Sequence, residues 1–85
     1  MSWHVELGRD AKKELARLPS AVQKRVARVL LALEADPFPP GCKKLKNRDG
    51  WRVRVGDYRI LYFADKIAHE VVVGVIAHRR EVYRR

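Results

Sequence analysis

The sequence predicts an α+β domain: an N-terminal strand and an antiparallel helix hairpin packed on a mostly antiparallel four-stranded sheet, in the order β-α-α-β-β-β. Three observations predict it. Residues 51–62 alternate with a period of two on either side of Gly56-Asp57, as strands do. Residues 11–35 place apolar side chains at helical spacing, interrupted once at Pro19-Ser20. Residues 69–77 are nearly all apolar, as a strand inside a sheet would be.

Ser2 to Leu7 sets Trp3, Val5 and Leu7 against His4 and Glu6, which predicts a first strand. Gly8-Arg9-Asp10 breaks it, and Asp10 is the expected N-cap of a helix over Ala11–Leu18. That helix buries Ala11, Leu15 and Leu18 and turns Lys12, Lys13, Glu14 and Arg17 outward. Ser20-Ala-Val-Gln23 has the form of a capping box for a second helix. Its stripe of Val22, Val26, Val29, Leu30 and Leu33 carries it to about Ala35. A turn this short makes the two helices an antiparallel pair on one face of the sheet. Asp36-Pro-Phe-Pro-Pro-Gly41 cannot be helical and reads as a stiff connector. Lys43-Lys44-Leu45-Lys46-Asn47-Arg48 reads as a basic loop anchored in the core by Leu45.

Gly-Asp between alternating runs suits a two-residue type II′ turn, which takes glycine first. That turn would set Val55 opposite Tyr58, Arg54 opposite Arg59 and Arg52 opposite Leu61, leaving one apolar face and one face with three arginines. After a turn at Asp65-Lys66, residues 69–77 should be a central strand buried on both faces, with Gly74 marking a bulge or a close approach. His78-Arg-Arg-Glu-Val-Tyr-Arg-Arg85 then delivers polar chemistry to the rim of the sheet.

Eighty-five residues make one domain burying roughly 60% of its unfolded surface. No run of 18 apolar residues is present to span a membrane, and the N-terminus lacks the pattern of a secretion signal. Cys42 is alone, so no internal disulfide can form, and a reducing cytoplasm is the expected location. Net charge is +9. Residues 1–42 contribute 7 − 5 = +2 and residues 43–85 contribute 12 − 5 = +7, so the charge belongs to the sheet-forming half. Nucleic acid is the leading partner for such a surface, ahead of an acidic protein or an anionic membrane. Lys24, Arg25 and Arg28 read more simply as the wet side of an amphipathic helix than as DNA-reading residues.

Like charges facing each other across a sheet cost about 0.2–1 kcal/mol. Keeping Arg54 against Arg59 therefore points to an anion, and all three positions hold arginine, whose planar fork grips phosphate at two points. An unbalanced solvated face is the plainer alternative. Lys43, Lys44, Lys46 and Arg48 are either further phosphate contacts or ordinary surface charge.

The element order, the basic Lys44-Leu45-Lys46, the hairpin Arg52-Val-Arg-Val-Gly-Asp-Tyr-Arg-Ile-Leu-Tyr62 and the ending His78-Arg-Arg-Glu-Val-Tyr83 together resemble the RelE/ParE superfamily of toxins from toxin–antitoxin pairs. The resemblance spans essentially the whole chain. It implies a RelE-like fold and a cognate antitoxin protein as partner, with the toxin a monomer or held in a hetero-oligomer with that antitoxin. RelE-type members are ribosome-dependent endoribonucleases that cut mRNA in the decoding site, whereas ParE-type members act on DNA gyrase. RelE-type chains close with an arginine at the end of the last strand and a tyrosine shortly after, here Arg79 and Tyr83, and Arg59 matches their third catalytic position. This ending favours the nuclease branch. Two lysines of the best-known RelE pattern are replaced here by Arg52 and Arg54, and arginine is a poor general base. Other branches place a histidine about where His78 stands.

No metal-ligand spacing joins His4, His69 and His78, and no paired carboxylates flank the basic face, so a metal-free and cofactor-free cut of RNA is the expected chemistry. Arg59 and Arg79 would hold the charge that builds on the phosphate, supported by Arg52 and Arg54. His78 suits proton transfer near neutral pH, and Tyr83 could donate a proton or stack on a base; strand capping and sheet packing are their quieter roles. Arg80, Arg84 and Arg85 are expected to contact ribosomal RNA or the antitoxin. The alternatives are a gyrase-binding inhibitor without chemistry of its own and a non-catalytic basic RNA-binding module.

Overall fold

The computed structural model describes residues 2–46 and 48–81. Along the chain run β1 (His4–Leu7), α1 (Arg9–Arg17), α2 (Ser20–Ala35), β2 (Lys43–Lys44), β3 (Trp51–Val55), β4 (Tyr58–Asp65) and β5 (Glu70–His78). They form one mixed sheet of order β1-β5-β4-β3-β2, with β1 parallel to β5 and the other pairs antiparallel. The α+β architecture is as expected, with one strand more. β2 falls in the stretch that reads as a loop: Lys43 pairs with Arg52 and Lys44 with Trp51. Two residues at an edge are too few to show a period.

The helix ends differ from the sequence reading. Asp10 lies inside the first turn of α1, and Gly8 stands at the N-cap with no side-chain cap. The Ser20 capping box does not form either, because Ser20 is already helical and Pro19 stands before it. Gln23 turns away instead and donates from Nε2 to the Leu15 carbonyl at 2.7 Å, tying α2 to the end of α1. The connector after α2 is non-helical, with the Phe38 N–H held by Asp36 Oδ1 at 2.9 Å. Buried Pro37 accepts the Tyr62 hydroxyl at 2.7 Å, and burial pushes that hydroxyl well above the usual tyrosine range. Trp3 stacks on His69 at 4.6 Å, while Phe38 packs edgewise between Trp3 and Trp51, closing this end of the core.

Both helices lie on one face of the sheet. The core between the layers is built from Ala11, Val26 and Leu33 against Val53, Val55, Ile60, Tyr62, Val71, Val73 and Ile76. The expectation that β5 is buried on both faces is therefore corrected. Val71 and Val73 are fully buried under the helices, but Val72, on the other side, is 41% exposed. An apolar run shows that a strand is central in its sheet without showing which faces are covered. Leu45 does anchor its segment, but on the far side from the helices, where it joins Val75 against buried Leu61 and Ala77. Among the described residues no helix is long and apolar enough to cross a membrane.

Candidate functional site

The hairpin has the predicted register: Val55 faces Tyr58, Arg54 faces Arg59 and Arg52 faces Leu61. Gly56 has φ +59° and no positive φ occurs at Asp57, as a type II′ turn requires. Since Tyr58, Ile60 and Tyr62 point to the helices, Arg59, Leu61 and Phe63 point to the open face. Arg52 and Arg54 join them from β3, and Lys43 opposite Arg52 extends the row to β2. Lys44, one residue on, faces the other way. Arg59 is held over the turn, its Nη1 donating to the Tyr58 carbonyl at 3.2 Å and the Gly56 carbonyl at 3.5 Å.

Charge on the open face is strongly graded. The turn end carries Arg52, Arg54 and Arg59. The opposite end, by the same alternation, carries Glu6 on β1, Asp65 on β4 and Glu70 on β5, with Asp65 paired to Glu70. About 20 Å separates Arg59 from Asp65 along the strand. Between the ends lies an apolar groove formed by Leu45, Leu61, Phe63, Val72 and Val75, with Arg48 and Asp49 on its rim. An anion is drawn to the turn end and repelled from the other.

Gly74 is a bulge, with Leu61 facing Val75 and Tyr62 facing Val73. The extra residue inverts the alternation of everything after it. Val75 and Ala77 come to the open face, Ala77 opposite Arg59, and Ile76 and His78 go to the helix side. His78 accordingly packs edge-to-face on Tyr58, with centroids 5.5 Å apart, and its Nδ1 accepts the Arg80 N–H at 3.3 Å. It borders a cleft with Glu14, Arg17, Leu18, Tyr58 and Arg80. His78 is thus on the opposite side of the sheet from the arginine row. Arg79 is exposed, and its N–H donates to the Asp57 carbonyl at 2.7 Å, pinning the end of β5 to the hairpin turn.

Of the residues singled out from sequence, the structure gathers Arg52, Arg54 and Arg59 on one face, with the Arg79 backbone at its edge. Lys43 extends that row, Arg48 edges the groove, and Lys46 is exposed on the same segment. His78 and Arg80 lie in the separate cleft. Tyr83, Arg84 and Arg85 lie outside the described residues. Sequence reasoning missed Arg25. Its guanidinium rests on the hairpin turn, so close that a Cβ built on Gly56 would meet Nη1 at 3.1 Å. Thirty-one residues separate the two positions, and nothing local signals the contact. Among the described residues no three His, Cys, Asp or Glu side chains gather as a metal site would need.

Residues 5–83 match the family described as the ParE toxin of the type II toxin-antitoxin system, parDE. The provisionally named toxin RelE1 of Methanocaldococcus jannaschii is 27% identical over 99% of this chain and 98% of its own length. The archaeal RelE–RelB complex of Pyrococcus horikoshii contains a chain similar to this one at 27% identity and a TM-score of 0.84, covering 93% of this chain and 97% of that one. The toxin–antitoxin complex RelBE2 of Mycobacterium tuberculosis contains another, at 27% identity and a TM-score of 0.82, covering 93% and 100%. A doubly substituted variant of the Escherichia coli toxin RelE in the free state shares the fold, with a TM-score of 0.80 at 22% identity over 99% of this chain and 93% of that one.

Proposed function

Because the chain belongs to the ParE toxin family of type II toxin–antitoxin systems, within the RelE/ParE superfamily, we propose that it inhibits translation as a ribosome-dependent endoribonuclease. In this reading the open face of the sheet receives mRNA in the decoding site. The observation that carries the reading is the row Arg52, Arg54 and Arg59, kept on one face with Arg54 directly opposite Arg59 although the repulsion destabilises the hairpin. Fixed cations at one end of a face and fixed anions at the other orient a phosphate chain before any chemistry begins.

The reaction is a transesterification. The substrate 2′-oxygen attacks the neighbouring phosphorus, the bond from phosphorus to the 5′-oxygen breaks, and a 2′,3′-cyclic phosphate and a 5′-OH result. Negative charge grows on the non-bridging oxygens, where Arg59 and Arg79 stand ready and Arg52 and Arg54 assist. The proton leaving the 2′-OH and the proton gained by the 5′-oxygen need other groups, because arginine stays charged. Tyr83 is the first choice and His78 the second, since the His78 ring is held on the far side of the sheet. The carboxylates of the open face lie at its other end, which supports a role for the ribosome in completing the site. No cofactor is required. The partner in the resting state is a cognate antitoxin protein, as the RelE–RelB complexes of the similar chains suggest.

The test is a purified translation reaction on a defined mRNA, with and without ribosomes, mapped by primer extension. The reading expects cuts only with ribosomes, at one place in the decoding-site codon, lost in Arg59→Ala and Tyr83→Ala. A second reading, inhibition of DNA gyrase without nuclease chemistry, is favoured by the ParE description of the matching family. It expects toxicity that survives loss of both Tyr83 and His78, and no cut products.

A further inference from the structure

The basic surface does not stop at the edge of the sheet. On the open face it is blocked in one direction by Glu6, Asp65 and Glu70. In the other direction it meets the hairpin turn, where the guanidinium of Arg25 lies against Gly56 and bridges to α2. From Ser20 to Leu33 that helix carries Lys24, Arg25 and Arg28 and no acidic residue. All three are exposed and fall within an arc of about 100° on the helix surface. Their placement is electrostatically poor for an isolated helix. Lys24 and Arg28 repel at i,i+4. α1 is arranged differently, with Asp10 in its first turn and Arg17 within 3.9 Å of Glu14. Asp57 lies in the turn itself, and Glu14 and Glu81 line the neighbouring cleft. None of them forms an ion pair with Arg25.

We infer that Lys24, Arg25 and Arg28 form a second, non-catalytic phosphate-binding surface, joined to the arginine row around the hairpin turn, and that its ligand is an RNA backbone. This rests on the reading of the open face as an RNA site and deepens it. A single strand lying along the row folds over the turn onto α2, where the guanidinium of Arg25 meets it. The recognised chemistry is a run of phosphates. RNA suits it better than an acidic peptide because the cations continue the surface proposed for RNA, with only small side chains, Ala21, Ala32 and Ala35, between them on the arc.

The experiment uses the full chain, with binding followed by fluorescence anisotropy over a salt series. The probes are a 20-nucleotide single strand carrying 2′-O-methyl groups, which cannot be cut, and a 20-base-pair RNA duplex. Wild type runs beside K24Q/R25Q/R28Q and R52Q/R54Q, each checked for fold by circular dichroism. The α2 variant is expected to bind about tenfold or more weakly at moderate salt, with the slope of log K against log salt reduced by about 2, as loss of two to three phosphate contacts requires. A loss on the single strand supports the inference, whether or not the duplex also weakens; a loss confined to the duplex would overturn it and assign the surface to a folded RNA. Wild-type affinity and slope for both RNAs in the folded α2 variant would overturn it and leave the surface to a protein. Failure of the nuclease reading looks different: no cut products from translation reactions, while RNA binding still depends on α2.

Discussion

The two faces of β4 are made by alternate residues of one strand and obey opposite rules. Tyr58, Ile60 and Tyr62 face the helices, where Ile60 is fully buried and Tyr62 nearly so. Arg59, Leu61 and Phe63 face outward, and there an arginine faces another arginine across the hairpin, a leucine packs under Leu45, and Phe63 is 49% exposed. The covered face fixes the register, since a slip of one residue would exchange every side chain between the two faces. With the register secured from one side, the other side can carry charges that work against the fold. A charged surface of this kind stands on the back of a conventional core.

Substitutions on one strand can separate these roles. Ile60→Ala should show the largest loss of stability, about 2–5 kcal/mol in denaturant unfolding, because it removes a fully buried side chain between the layers. A loss below 1 kcal/mol would mean that the covered face is not what holds the register. Tyr62→Phe should cost about 1–3 kcal/mol by leaving the buried Pro37 carbonyl without its donor. This position also gives a pH signature. Burial raises the folded-state pKa, so the stabilisation is fully present below the ordinary tyrosine value near 10 and is lost as pH rises above it, when the unfolded chain ionises first. Tyr62→Phe should flatten the alkaline limb of a stability–pH curve, and an unchanged limb would locate that titration elsewhere. Arg54→Glu should have the smallest effect on stability and the opposite sign, a gain of about 0.2–1 kcal/mol from an attractive pair with Arg59. The same change should weaken RNA binding. A variant both less stable and equally active would show that the arginine pair is structural.

Much of this organisation was legible in the residues. The hairpin register followed from Gly56-Asp57 and clean alternation, because a two-residue turn leaves one pairing that keeps the apolar residues together. The helices followed from their stripes, though not their caps, where Pro19 fills the place the Ser20 box needed. The side taken by His78 was hidden by Gly74. Glycine at that position was compatible with a bulge, but only the pairing of Leu61 with Val75 and Tyr62 with Val73 shows that the alternation inverts there. Counting from Val73 without the bulge would put His78 on the open face with Arg59. β2 was too short to register as a strand, and the contact of Arg25 with Gly56 depends on how α2 lies across the sheet. Sequence periodicity reports on one element at a time. Those features belong to pairs of elements.

The proposed function requires that the arginine row of the open face acts on RNA and does not stabilise the fold. The most direct test measures cleavage rate and thermal stability on the same preparations of wild type and Arg59→Ala. Arg59→Ala should lose about 10²–10³-fold in rate, the usual cost of removing one preorganised charge stabiliser, with its unfolding transition close to that of wild type. Cleavage that persists at the wild-type rate, or that disappears only because the variant unfolds, would contradict it.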